Sequence, residues 1–247
     1  MSFDFDTAPD RTGTGSLKWD KYAGRDVVPL WVADMDFRSP PAVIEALRAR
    51  VEHGIYGYTV PYEEVVQETL AYLQRMHGLE ARPEWLVWLP GLVPALNVAC
   101  RAFLSAPGFS DRQRVAVPLL EAAGRWDIDW EGLARAVTPE TRLFILCHPH
   151  NPVGRVWTQD ELERLVDFCD EHELILCSDE IHCDLILDEV PHVPTLSLGL
   201  SAHERTITLL SPSKTYNLPG LSCAYAVIPD DGLRNAFKRA ARGIITE

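Results

Sequence analysis

The stretch Ser211-Pro212-Ser213-Lys214-Thr215-Tyr216-Asn217 directly follows the apolar run Thr206-Ile207-Thr208-Leu209-Leu210, which predicts a buried strand. Two serine hydroxyls precede Lys214 within three residues, and a solvated lysine needs no such neighbours. A lysine that forms a Schiff base benefits from them, because its amine must be partly desolvated to act as a neutral nucleophile. The hydroxyls can also donate hydrogen bonds to a phosphate. Taken alone, the pattern is also compatible with an ordinary loop lysine.

The overall composition bounds the class of protein. The chain has 247 residues, of which 47% are hydrophobic and 24% charged, as in one large globular domain or slightly more. Its net charge of −13 argues against binding to nucleic acid or to an anionic membrane surface. No apolar run approaches the roughly 20 residues of a membrane span, and no secretory signal pattern opens the sequence. We therefore expect a cytoplasmic protein with six reduced cysteines.

Short apolar runs alternate with helical patterns along most of the chain. Strands are predicted at residues 27–32, 85–89, 143–147, 174–177, 206–210 and 224–228, and helices at 40–53, 61–76, 95–103, 159–171 and 231–242. The stretch Thr158-Gln159-Asp160-Glu161 is typical of a capping box. Short buried strands separated by helices predict an α/β fold, with a mostly parallel sheet covered by helices on both faces.

Three chemically different side chains come just after predicted strands: Asn151, Asp179 and Lys214. In an open α/β sheet, ligands bind at this edge. The three groups can be assigned to one cofactor, with Lys214 on its aldehyde, Asp179 on a pyridinium nitrogen and Asn151 on a ring oxygen.

The cofactor's phosphate has its own candidate residues. Gly91 and Leu92 lie between a predicted strand and a predicted helix, where backbone amides bind anions. The hydroxyls of Ser211 and Ser213 can contribute to the same group. A plain strand-to-helix turn is the alternative for residues 90–94.

Several of these residues have simpler interpretations. Asp179 is also compatible with a helix N-cap, Glu180 with a salt-bridge partner and His182 with a packed loop histidine. Together, Asp179, His182, His148 and His150 can be considered as metal ligands. They lack the close histidine spacing of known metal motifs, so no metal is predicted.

Six stretches of the sequence carry a resemblance to a known family. They are residues 15–20 (GSLKWD), 30–37 (LWVADMDF), 53–58 (HGIYGY), 147–157 (CHPHNPVGRVW), 178–182 (SDEIH) and 211–221 (SPSKTYNLPGL). In combination they resemble the pyridoxal-phosphate-dependent aminotransferase superfamily of fold type I. Within it, they are similar to the cystathionine β-lyase-like C–S lyases typified by MalY and PatB.

The resemblance implies roles for individual residues. Lys214 is the Schiff-base lysine, Asp179 the pyridinium partner and Asn151 the ring-oxygen donor. His182 lies where relatives often place a second group near that oxygen. Tyr58 resembles a tyrosine that reaches across a homodimer interface to the phosphate of the neighbouring site.

The resemblance also implies the reaction. Ala33 and Asp34 lie in a segment that lines the pocket for a small amino-acid substrate. We expect pyridoxal 5′-phosphate (PLP)-dependent β-elimination on cystathionine, cysteine or its S-conjugates, giving thiol, pyruvate and ammonia. The alternatives are a PLP-dependent aminotransferase and, from another class, a catalytically impaired homologue with a binding or regulatory role.

The sequence departs from the family pattern at three places. His148 stands where asparagine is usual. A strand with a ring-stacking tyrosine is expected to be missing after Phe103, so we predict an internal deletion. The chain ends at Glu247, before the rest of the small domain and its substrate-binding arginine, so we expect weak catalysis. We assign residues 1–55 to the small domain and substrate pocket, and residues 56–247 to an incomplete PLP-binding large domain.

Overall fold

A computed structural model describes residues 4–103 and 113–244 of the chain. Contacts divide the chain into two units. The smaller unit comprises Met1–Val60 with Pro212–Cys223, and the larger unit comprises Pro61–Ser211 with Ala224–Glu247. The strand that is expected to be missing after Phe103 falls outside the described residues. The predicted boundary at residue 55 stays a prediction.

The described residues form seven strands and eight α-helices. The strands are β1 (Leu86–Leu89), β2 (Leu120–Ala122), β3 (Arg125–Asp127), β4 (Leu143–Cys147), β5 (Ile175–Asp179), β6 (Thr206–Leu210) and β7 (Ala224–Val227). The helices are α1 (Leu17–Asp20), α2 (Pro41–His53), α3 (Glu63–His77), α4 (Leu92–Phe103), α5 (Trp130–Ala136), α6 (Gln159–Glu171), α7 (Leu200–Arg205) and α8 (Asp231–Ala241). No helix among them is long and apolar enough to cross a membrane.

The larger unit is built on a five-stranded sheet with the order β1-β7-β6-β5-β4. Strands β4, β5 and β6 pair in parallel, whereas β7 is antiparallel to both β6 and β1. Four of the five strands therefore run in the same direction, and the predicted mostly parallel sheet is confirmed. Strands β2 and β3 form a separate hairpin.

Helices cover both faces of this sheet. Successive residues of a strand point to opposite faces, so each strand contributes side chains to both. On one face, Cys177 and Leu209 pack in a cluster with α4 and α8. On the other face, Leu176 packs with α5 and α6, and Leu210 packs with Leu73 of α3. All five side chains are buried, so the sheet is the core of the larger unit.

Most predicted elements are present, and α6 begins with the predicted capping box at Thr158. The strand predicted at residues 27–32 is wrong, since this stretch is irregular. Pro29 has no N–H to donate to a ladder. Val28 and Leu30 remain 75% and 87% exposed, so an apolar run alone did not make a strand here.

Candidate active site

In the larger unit, the sheet directs four predicted site residues to one edge. Strands β1, β4, β5 and β6 run the same way, so their carboxyl ends meet at that edge. Gly91, Asn151 and Ser211 follow β1, β4 and β6, respectively. Asp179 is the last residue of β5 rather than a residue beyond it. The edge that the sequence predicted as a ligand site therefore holds an amide, a carboxylate and a hydroxyl.

Asp179, the predicted pyridinium partner, lies in the ladder between Cys147 of β4 and Leu209 of β6. Its Oδ1 accepts a hydrogen bond of 3.2 Å from the Ile181 N–H. Burial raises the pKa of Asp179 to about 6; the Ile181 N–H opposes this rise, and the Glu180 charge adds to it. Residues 181–184 form turns, so Asp179 is not the N-cap of a helix.

Glu180 has the opposite electrostatic environment although it is the next residue. It is 1% exposed, and its carboxylate accepts hydrogen bonds from His192 Nε2 at 2.8 Å, Thr195 N–H at 3.0 Å and Ser178 Oγ at 2.9 Å. Burial alone would raise the pKa of Glu180. The hydrogen bond and charge of His192, together with His148 and the Thr195 N–H, instead hold it at about 2. Glu180 is therefore the salt-bridge partner that the sequence left open.

Sequence reasoning missed His192, which lies in an irregular loop 12 residues after Glu180. The His192 ring stacks on His148, with centroids 4.5 Å apart. His148 Nε2 donates to the Val193 carbonyl at 3.0 Å, and burial lowers the pKa of His148 to about 4. The His148 N–H also donates to the Asp179 carbonyl at 2.9 Å. The unusual histidine at position 148 thus connects the Glu180 ion pair to the backbone of Asp179.

Asn151 lies on a tight loop that is fixed by its ends. The His150 N–H donates to the Arg155 carbonyl at 2.7 Å, and Trp157 Nε1 donates to the Cys147 carbonyl at 3.0 Å. The Asn151 N–H points to Cys147 Sγ at 3.4 Å, and the residue is exposed. Its side chain is therefore accessible to a ligand at this edge.

The turn after β1 has the form of an anion site. Helix α4 begins at Leu92 rather than at the predicted Ala95, because Pro94 is compatible with a first helical turn. Leu92 is only 9% exposed, and as the first residue of α4 its backbone N–H has no partner within the helix. His182, predicted near the ring oxygen, is half-buried in the turns after β5.

In the smaller unit, the loop with Lys214 contacts the predicted pocket segment. Lys214 Nζ donates to the Ala33 carbonyl at 3.3 Å, and Ser213 lies on the same loop. Asp34 forms an ion pair with Arg11. The structure therefore brings the predicted lysine and the predicted substrate-binding segment together.

Tyr58, the residue predicted to act across a dimer interface, is also in the smaller unit. It is 96% exposed, and its neighbours Tyr56 and Val60 are 67% and 76% exposed. A stretch with this much exposed apolar surface is suited to contact with another molecule.

One group of potential metal ligands occurs in the described residues: His77, Cys183 and Asp184. The Tyr72 hydroxyl lies among them, 2.7 Å from both Asp184 oxygens, 3.0 Å from His77 Nε2 and 4.0 Å from Cys183 Sγ. The hydroxyl lies within hydrogen-bond distance of Asp184 and His77, so a hydrogen-bond network accounts for the group. The metal alternative considered from the sequence used other histidines, and they do not form such a group.

Comparison with known proteins identifies the family. Residues 25–247 match the family model described as aminotransferase class I and II, and the chain belongs to this family. "Cystathionine beta-lyase PatB" of Bacillus subtilis is 40% identical over 94% of this chain and 66% of its own length. "Protein MalY" of Escherichia coli is 32% identical over 98% of this chain and 67% of its own length.

A solved structure agrees in fold. Cystalysin from Treponema denticola, whose crystal structure contains PLP, has a TM-score of 0.91 at 33% identity, over 97% of this chain and 67% of its own. The chain thus spans about two thirds of the length of these relatives. The predicted family and fold type I architecture are confirmed, and PLP is the cofactor of the family.

The larger unit is chemically compatible with this cofactor. No ion pair of Asp179 is found in the part of the chain that the structure describes, and the raised pKa of this carboxyl reflects burial without a countercharge. A pyridinium N–H would supply that countercharge. The environment of Asp179 is therefore compatible with binding of a cationic group.

Proposed function

We propose that this protein is a PLP-dependent C–S lyase that cleaves cystathionine or cysteine S-conjugates by β-elimination. The observation that carries the proposal is the half-buried Asp179 carboxylate at the carboxyl edge of the sheet, in a chain that also carries the Ser-Pro-Ser-Lys stretch after β6. The names of two proteins similar to this chain, cystathionine beta-lyase PatB and the C–S lyase of Staphylococcus hominis, support β-elimination. The proposed site residues are those that the sequence predicted.

Each residue has a defined task in this proposal. PLP supplies an electron sink for the electron pair left at Cα. Asp179 holds a proton on the ring nitrogen, which keeps the ring electron-deficient. Asn151 would donate to the ring oxygen, and His182 is the second candidate for this oxygen. The amides of Gly91 and Leu92 and the hydroxyls of Ser211 and Ser213 would donate hydrogen bonds to the phosphate.

Lys214 carries out the proton transfer. Its amine holds the cofactor before substrate binds, and is then free to remove the Cα proton of the substrate. When the thiolate leaves from Cβ, an unsaturated product remains that hydrolyses to pyruvate and ammonia. The alternative is amino transfer, in which Lys214 would move the Cα proton without loss of a thiolate; the name of the family, aminotransferase class I and II, supports this alternative.

We assign substrate binding and dimer assembly to residues of the smaller unit. We place Ala33 and Asp34 on the pocket for the amino acid, since the Ala33 carbonyl contacts Lys214. The exposed Tyr58 and its apolar neighbours support a homodimer in which Tyr58 reaches the phosphate of the second site. The net charge of −13 supports an enzyme of small molecules rather than a protein that binds nucleic acid, and we propose that it acts in the cytoplasm.

The test is an incubation of the purified protein with PLP and L-cystathionine. We expect a PLP-dependent absorbance band and a slow release of pyruvate that does not need a 2-oxo acid. The matched variants are Lys214→Ala, which should abolish both signals, and Lys238→Ala, which should change neither. Amino transfer to an added 2-oxo acid without pyruvate would establish the aminotransferase alternative. A protein without any PLP band would instead be a binding or regulatory homologue.

A further inference from the structure

Asn217 lies three residues after Lys214 and makes unusually many long-range contacts. Its Oδ1 accepts a hydrogen bond from the Met35 N–H at 2.9 Å. Its Nδ2 donates to the Met35 carbonyl at 3.0 Å and to the Phe37 carbonyl at 2.9 Å. One amide side chain thereby binds backbone that is about 180 residues distant in sequence. Both of its donor hydrogens and its acceptor oxygen are used.

The backbone of Asn217 is also specialised. It has φ of 55°, in the left-handed region that asparagine tolerates better than most residues. Its own carbonyl accepts a hydrogen bond of 3.1 Å from Ser39 Oγ. Within the loop, the Leu218 N–H donates to the Ser213 carbonyl at 2.8 Å. Lys214 and Asn217 therefore belong to one hydrogen-bonded turn.

The segment of residues 33–37 is held from two sides. On one side, Arg11 pairs with Asp34 and Asp36, and Lys18 pairs with Asp36 at 2.7 Å. On the other side, the lysine loop contributes the hydrogen bonds of Asn217 and the bond from Lys214 Nζ to the Ala33 carbonyl. The Lys214 bond must be given up when this amine holds a cofactor. The amide of Asn217 then remains to connect the two.

We infer that Asn217 is a positioning residue for the substrate pocket: its side-chain amide fixes residues 33–37 relative to the Lys214 loop. The inference rests on the proposed function, since it assigns the pocket to the amino-acid substrate. Asn217 does not touch the reacting atoms. It acts through the Ala33 segment, so its loss should weaken substrate binding more than cofactor binding.

The chemistry of the amide gives a sharp variant. Asn217→Asp keeps the size, the tolerance for φ above zero and the acceptor for Met35. It removes both donors and places a carboxylate against two carbonyl oxygens. Asn217→Ala removes all three bonds. The matched control is Asn97→Asp, which makes the same change of charge at an amide that bonds only locally, from Nδ2 to the Val93 carbonyl at 2.8 Å.

The first measurement is hydrogen exchange of the Met35 amide in the cofactor-free protein. We expect Asn217→Ala to accelerate exchange in peptides covering residues 33–38 by about tenfold or more, because each net hydrogen bond contributes a factor of that order. Asn217→Asp keeps the acceptor for the Met35 N–H and should accelerate exchange less. Peptides from α6 should exchange as in the parent protein, and Asn97→Asp should leave residues 33–38 unchanged.

The second measurement is turnover of L-cystathionine by the PLP-loaded variants. We expect Asn217→Asp to retain the PLP absorbance band and to raise KM about tenfold with a smaller change in kcat. Unchanged Met35 exchange, or unchanged KM with faster exchange, would overturn the inference. A parent protein that binds no PLP would overturn the proposed function, and the pocket assignment with it, whereas the exchange result reports on the Asn217 contacts alone.

Discussion

Among the described residues, two carboxylates have a pKa held at about 2, one in each unit, and their surroundings differ. Glu180 in the larger unit is 1% exposed and is paired with a buried histidine, His192. Asp36 in the smaller unit has a side chain that is 28% exposed and accepts hydrogen bonds from Lys18, Trp19 and Arg11. For both, burial opposes the charged form and the donors outweigh it.

This difference determines how much stability is lost when a partner of either carboxylate is removed. Around Glu180, removing a partner leaves a charge in a dry interior. Around Asp36, water can replace a lost partner and screen the remaining charges. Glu180 and Asp36 therefore have the same pKa, but loss of the Glu180 interactions should reduce the folding stability strongly and loss of the Asp36 interactions only weakly.

The largest expected effect is that of Glu180→Ala. The substitution leaves His192, Thr195 and Ser178 without their common partner, and breaking a buried pair of this kind costs about 3–5 kcal/mol. Urea unfolding followed by circular dichroism would measure it, with Glu189→Ala as a control at an exposed carboxylate. A loss below about 1 kcal/mol would show that the Glu180 network behaves like a surface pair.

The second prediction concerns Asp179, whose pKa is raised and not lowered. Below pH 3.8 this carboxyl is protonated in both the folded and the unfolded protein, and stability falls as the pH rises through about 6. We therefore expect Asp179→Asn to stabilise the cofactor-free protein by about 1–3 kcal/mol at pH 7, and to have no effect near pH 3. Thermal unfolding at the two pH values measures this. Destabilisation at pH 7 would contradict the description of Asp179 as a carboxylate without a countercharge.

The third prediction compares the effects of substitutions at Asp179 and Glu180 on PLP binding, as distinct from their effects on folding. Asp179→Ala should weaken PLP binding far more than Glu180→Ala does, once binding is normalised to the folded fraction. Without that normalisation the comparison would mislead, because Glu180→Ala removes folded protein. Spectroscopic titration with PLP provides the measurement, and equal losses per folded molecule would mean that the roles of Asp179 and Glu180 are misassigned.

The smallest effect is expected for Asp36→Asn, at about 1 kcal/mol after solvent screening. Because the pKa of Asp36 is lowered, its contribution is present above pH 3.8 and disappears as the pH falls through about 2. Equilibrium unfolding at pH 7 in low and high salt would measure it, and salt should reduce the difference. A loss as large as that of Glu180→Ala would abolish the contrast between the units.

The sequence predicted the regions that depend on local patterns. Apolar runs predicted the strands at residues 143–147 and 206–210, and helical spacing with a capping box predicted α6. The polar residues at the ends of the strands predicted the ligand-binding edge of the sheet. The contacts of Asn217 with Met35 and of Glu180 with His192 left no such signal. They join residues in irregular backbone, across as many as 182 positions, and only the folded chain brings them together.

The central claim is that Lys214 holds PLP, and it can be tested by borohydride reduction of the PLP-loaded protein followed by peptide mapping. The chain has four lysines, so the assignment is unambiguous. We expect the pyridoxyl group on the peptide that contains Lys214 and an unmodified Lys18, whose amine is already paired with Asp36. A pyridoxyl group on Lys18, Lys21 or Lys238, with Lys214 unlabelled, would contradict the account.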